Sequence, residues 1–175
     1  MPKKPAKCQV VVRGSYASGA IFSSCERYRY QLWRRWYSGP GAPRLAAFIG
    51  LNPSTADETV NDPTVTRCIG FAKRYGCDGI YMLNAFAFRA TDPRDMKSEH
   101  DPVGPLNDAY ILETVGVSAR VVVAWGTHGS YQGRDLQLAG GILLGEELYC
   151  LGKTKAGHPR HPLYLSNDTK LERWR

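Results

Sequence analysis

Long apolar runs are missing from this sequence, as are paired cysteines, internal repeats and low-complexity tracts. No stretch approaches the roughly 18 apolar residues of a membrane span, so a helical membrane protein is excluded and no membrane partner is expected. The opening "MPKKPAKCQVVV" lacks the apolar core of about 7 to 15 residues found in a secretory signal, and the expected location is the cytoplasm. The five cysteines, Cys8, Cys25, Cys68, Cys77 and Cys150, are odd in number and scattered, with no C-x-x-C pair. That argues against a disulfide framework and against a standard zinc or iron–sulfur site. Reduced structural thiols are expected, with no metal and no cofactor. Acidic residues are also short, 16 Asp and Glu against 23 Lys and Arg.

The resulting charge of +7 raises the local concentration of phosphate polyanions and supplies salt-sensitive binding, which points to nucleic acid while leaving an ordinary basic protein open. Basic residues gather at Lys3, Lys4 and Lys7, in "CERYRYQLWRRW" and in "KTKAGHPRH". Within residues 28 to 37, Tyr28, Leu32 and Trp36 recur at helical spacing, and core packing is their expected role ahead of base stacking. A chain of 175 residues is most simply one domain, 1–175, and a monomer is expected.

Apolar runs predict strands near 45–50, 79–84, 119–125 and 147–151, separated by helical segments. Asp62 is a candidate N-cap ahead of Pro63 for a helix that Gly76 would end. Further helices are expected around 106–115 and over roughly 130–139, the latter ending at Gly140 and Gly141. "QVVVRG" and "GAIFS" read as an added N-terminal hairpin. Repeated strand–helix crossovers give an α/β fold with a mostly parallel four-stranded sheet, whose ligands bind beyond the carboxyl ends of the strands.

Those ends carry the unusual residues: "GLNPSTAD", "MLNAFAFRATDP", "VAWGTHGS" and "LGKTKAGHPRHPLYLS". Taken singly each is weak, since an Asn after a strand commonly makes a local turn bond. In order, they resemble the uracil-DNA glycosylase superfamily, with its Gly-x-Asp/Asn-Pro loop, strand-end Asn, Trp-Gly strand end and late His-Pro loop. The likeness spans residues 45 to 166, with one residue inserted in the late loop. "GLNPSTAD" and "NDPTV" are also similar to a family of domains of unknown function numbered 1643.

The superfamily resemblance implies a three-layer α/β/α fold and a DNA glycosylase acting on an extruded base. It matches Asn52 to the residue that orients a water toward the sugar's anomeric carbon, and Asn84 to the residue that bonds the base edge. It matches His158 to the histidine that stabilises charge on the departing base, with His161 as the competing position, and Leu163 to the wedge that fills the duplex. Gly50, Pro53, Lys153, Lys155, Arg160 and Ser166 are then expected at the DNA.

Elementary chemistry is compatible with these roles. Cleaving an N-glycosidic bond builds positive charge on the sugar and negative charge on the base, so a site needs a positioned water and donors aimed at the base. An amide orients water but is no strong base, so Asp57 and Asp62 are candidate substitutes for the missing carboxylate; otherwise Asp57 faces solvent and Asp62 only caps its helix. Phe86 and Phe88 are candidates for stacking, with core packing as the alternative. Ser54 stands where the uracil-specific branch has a tyrosine that excludes 5-methyl groups. Its small side chain, with Thr55, admits a 5-substituted pyrimidine, including a hypermodified phage base. Water as nucleophile implies a monofunctional enzyme that leaves an abasic site. A catalytically inactive nucleic-acid-binding module and a nucleoside or nucleotide hydrolase remain the alternatives. His128 either orients the crevice or ends its strand.

Overall fold

The computed structural model describes residues 9–174; Lys3, Lys4, Lys7 and Cys8 lie outside them. The fold is mixed α/β around one eight-stranded mixed sheet. Its centre is the sequence-predicted set: β4 (Leu45–Gly50), β5 (Gly79–Asn84), β6 (Arg120–Val123) and β7 (Leu148–Cys150). These run parallel in the spatial order β5-β4-β6-β7. All six residues of β4 are buried, because both faces of a central parallel strand are covered.

The expected four-stranded sheet is corrected by strands added at both edges. The hairpin of β1 (Val10–Gly14) and β2 (Ser18–Ser23) forms as expected, and β3 (Arg29–Arg35) joins it antiparallel to β5. On the other side, β8 (Glu172–Arg173) pairs with β7. The helical spacing of Tyr28, Leu32 and Trp36 is therefore misleading. Leu32 and Arg34 are buried at alternate positions while Arg29 and Tyr30 are buried consecutively where the register with β2 shifts, and the buried arginines hide the strand pattern.

Helix α1 (Pro63–Arg74) starts at Asp62, whose side chain accepts from Val65 N, and ends before Gly76 at φ +69°. It buries Val65, Cys68, Phe71 and Ala72 against Phe48, Ile80 and Met82 on one sheet face. Against the other face, α3 (Asn107–Gly116) contributes Ile111 and Val115 to a core with Ile49, Leu83 and Val123. Each fully buried side chain of this size contributes about 1.5–3 kcal/mol. A short helix unanticipated in the sequence, α2 (Pro93–Ser98), is capped by Asp92. The helix expected over 130–139 is broken into the 3₁₀ segment Thr127–Gly133, α4 (Arg134–Gln137) and a π turn (Leu138–Ile142). Gly133 at φ +66° starts α4, and Gly140 and Gly141 lie inside the π turn instead of ending a helix. Among the described residues no helix is long and apolar enough to cross a membrane.

Candidate functional site

The chain leaves β4 toward β5, then passes back over β4 to β6, so the direction of winding reverses between β4 and β6. At such a switch point the loops beyond the carboxyl ends part and leave a crevice. A cleft of about 690 Å³ opens there, lined by the loops after β4, β5 and β6, the start of α1 and the late loop.

Asn52 lines it, half-buried, and donates Nδ2 to Ala90 O at 2.7 Å and Pro53 O at 3.1 Å. Only the NH₂ can donate to carbonyls, so these bonds orient the amide and leave Oδ1 as the acceptor that Asn52 offers. Ala90 N returns a bond to Pro53 O at 2.9 Å, which ties the two loops together; Pro53 itself is buried. Ser54 and Thr55 line the cleft beside Asn52.

Asn84 closes β5 opposite Gly50, and only 3% of it is exposed. A Cβ at position 50 would stand 3.0 Å from Asn84 Oδ1, so glycine admits the close approach. The carbonyls of Asn84 and Ala85 both accept from Asn107 Nδ2, and Ala85 O also accepts from Arg134 Nε at 2.8 Å. The end of β5 is thus held by two side chains from outside the strand. Asn84 borders a small chamber of about 40 Å³, shared with Arg29, Asn52, Ser54, Asp62 and His161.

Asp62 is 8% exposed, caps α1 through Oδ1 at 2.8 Å from Val65 N, and lines both cleft and chamber. Cap and site residue coincide. Asp57, by contrast, is not among the cleft's lining; its Oδ1 accepts from Thr59 N at 2.8 Å and Val60 N at 2.6 Å. Those backbone bonds hold its carboxyl below the usual range.

The two late histidines part company. Thr154 N–H bonds to His158 O at 2.9 Å and Arg160 N–H to Gly152 O at 3.0 Å, folding residues 152–160 back on themselves. His158 therefore sits outside the cleft, with Nδ1 3.8 Å from Asp135 Oδ2. His161 lines the cleft and accepts at Nδ1 from Leu163 N at 3.3 Å. A neutral ring accepting at Nδ1 carries its proton on Nε2. Burial pushes the His161 pKa down, opposed by the negative charge of Asp62.

Arg160, Leu163 and an outermost Tyr164, 91% exposed, form the rim, while Lys153 and Lys155 are exposed on the same late loop. Arg67 of α1 anchors this loop by donating to Leu165 O and Asn167 Oδ1. Ser166 is exposed and donates to Asp168. His128 is also at the cleft, its Nδ1 3.1 Å from Lys97 Nζ. Phe86 and Phe88 lie away from it: Phe86 is fully buried in the core, and Phe88 packs edge-on to Tyr28 at 6.0 Å. Among the described residues no group of three or more His, Cys, Asp or Glu side chains is disposed to hold a metal ion.

Sequence reasoning missed Arg29, which lies in a basic run that reads as surface charge. It is 2% exposed, donates Nη1 to Ala56 O at 2.6 Å and borders the chamber. Burial lowers its pKa to about 10, partly offset by Asp62, so it stays charged at neutral pH. Strict alternation along β3 would place Arg29 outward; it is buried next to the buried Tyr30 because the register with β2 shifts there, and no sequence signal marked that.

No curated protein and no solved structure matches the chain. A family model described as a protein of unknown function, DUF1643, matches residues 29–163, a span that starts at Arg29, ends at Leu163 and includes all of the cleft's lining except Tyr164 and Leu165. The chain belongs to the DUF1643 family of proteins of unknown function.

Proposed function

We propose that this protein is a DNA glycosylase that hydrolyses the N-glycosidic bond of a base extruded from duplex DNA, within a uracil-DNA-glycosylase-like three-layer fold. The single observation that carries the reading is the pinned amide of Asn52, Nδ2 spent on two carbonyls, in a cleft that also holds His161. Asn52 Oδ1 accepts a hydrogen from water and aims its oxygen at the anomeric carbon. The C–O bond forms as the C–N bond breaks, and the bonding pair leaves with the base. The neutral His161 ring donates Nε2–H to the developing negative charge. Asp62, whose Oδ1 is engaged by the cap, offers Oδ2 to take the water's proton, in place of the carboxylate that Asn52 is not.

The basic late loop meets DNA phosphates, with Lys153, Lys155 and Arg160 exposed for that purpose, and Leu163 enters the stack. The enzyme acts as a cytoplasmic monomer. Ser54 leaves carbon 5 unobstructed, so a 5-substituted pyrimidine is the favoured substrate, which suits repair or defence against phage with modified DNA. Purified protein is incubated with duplexes containing uracil, thymine mismatches, or hydroxymethylated or glucosylated cytosine. Abasic sites without prompt strand cleavage are expected on at least one 5-substituted base. Inactivity on all of them removes the reading, and activity on free nucleosides alone, unaffected by Leu163→Ala, replaces it with a nucleoside hydrolase.

A further inference from the structure

The exposed side of α1 carries another concavity, a groove of about 250 Å³ lined by Thr66, Arg67, Gly70, Phe71, Arg74 and Asn167, none of which lines the cleft. Arg67, Gly70 and Arg74 are three and four residues apart, which sets them in one row on the helix. Both guanidinium groups lie over the Phe71 ring, at 5.0 and 5.7 Å from its centroid, so two like charges are held at one ring. Arg67 donates to Leu165 O and Asn167 Oδ1, neutral acceptors that leave its charge uncompensated. Arg74 is exposed and, among the described residues, makes no hydrogen bond or ion pair. Asp168 senses its charge but is engaged by Ser166. Gly70 stands inside the helix, where glycine is disfavoured relative to alanine, and a Cβ there would meet nothing within 4 Å. Packing does not require this glycine, and its missing side chain keeps the row open between the two arginines. A concavity walled by two uncompensated guanidinium groups is complementary to an oxyanion, whose oxygens match their planar donors.

We propose that this groove is a phosphate-binding site whose ligand is a backbone phosphate of DNA, bonded by Arg74 and attracted by the charge of Arg67. Asn167 adds a donor: its Oδ1 accepts from Arg67, so its NH₂ is the end left for the phosphate. The proposal rests on the DNA reading of the cleft and extends the contact surface from the late loop onto α1. Leu165 lines the cleft and Asn167 the groove, and two residues of chain span at most about 7 Å. A DNA strand carries a phosphate about every 3.4 Å of helix axis, so a duplex engaged at the late loop has phosphates within that distance. A phosphate contact carries no sequence information, so the groove adds affinity and fixes register whichever base the cleft takes.

The test is binding of an unmodified duplex to the full chain, read by fluorescence anisotropy over a range of salt, with the Arg74 Nε–H signal of ¹⁵N-labelled protein followed in parallel. The duplex should shift that signal. Arg74→Gln should weaken binding about threefold to fivefold and reduce the slope of log K against log salt by about 0.9, the share of one phosphate. Gly70→Leu fills the groove, keeps every charge and replaces glycine with a better helix former; with thermal unfolding retained, it should weaken binding as well. Wild-type affinity in both variants overturns the proposal. So does a loss in Arg74→Gln that Gly70→Leu does not share, which reduces the arginines to a general field. Inorganic phosphate is added separately, and a shift with it but none with the duplex overturns the DNA source in favour of a free anion. Failure of the groove alone leaves wild-type duplex binding in place, whereas failure of the DNA reading abolishes it and the proposal with it. A duplex that shifts Arg74 in a protein releasing no base keeps the groove and removes the glycosylase.

Discussion

Arg29 and Arg134 are buried to the same degree, 2% exposed each, and their surroundings are opposite. Arg134 uses Nε on Ala85 O and both Nη atoms on Asp108, clasping the end of β5 from α4. Arg29 spends Nη1 on Ala56 O and leaves Nε facing no partner among the described residues. A satisfied buried cation is architecture. One with a buried donor left unmade is a cost that the fold carries.

The largest stability effect is expected on the satisfied side. Arg134→Met leaves Ala85 O with Asn107 Nδ2 alone and strands no buried anion, since Asp108 is half exposed, and the lost charged hydrogen bonds should cost about 2–3 kcal/mol in denaturant unfolding. Arg29→Met should cost less, about 1 kcal/mol, because an apolar chain replaces a cation whose hydrogen bonds are incompletely made. Equal losses would erase the distinction between the two arginines.

A smaller effect belongs to His161. Burial lowers its pKa against the opposing charge of Asp62, so the folded state holds the ring neutral where the unfolded chain takes up a proton. Unfolding then binds protons, and stability rises with pH through the window just below the ordinary histidine pKa of about 6.5. Urea midpoints between about pH 5.5 and about pH 7 should show that rise in the wild type and a weaker one in His161→Gln. The same change from His158→Gln would place the buried ring at the wrong position.

The parallel strands were legible in the sequence because uninterrupted apolar runs such as "LAAFIG" need burial on both faces, and Asp-Pro marked the start of α1. The same dipeptide at Asp92 and Pro93 starts α2 and passed unread, its helix being too short for a periodic signal. β3 was hidden because its inward positions include Arg34, whose guanidinium donates to Asn61 Oδ1 and to the carbonyls of Asp57 and Val60, a set of partners separated from it along the chain. At the site, the strand-end residues Asn52 and Asn84 could be found from where the apolar runs stop. Which histidine enters the cleft could not, since that depends on the fold-back of residues 152–160. Arg29 required knowing that its charge points inward.

The most direct measurement is the rate of base release from a duplex carrying a 5-substituted pyrimidine, read as alkali-labile abasic sites, for wild type and Asn52→Ala. The wild type should release base, and the variant, deprived of the acceptor that orients water, should be slower by about a hundredfold or more. Base release by Asn52→Ala at the wild-type rate, or none by the wild type from any such duplex, would contradict the account.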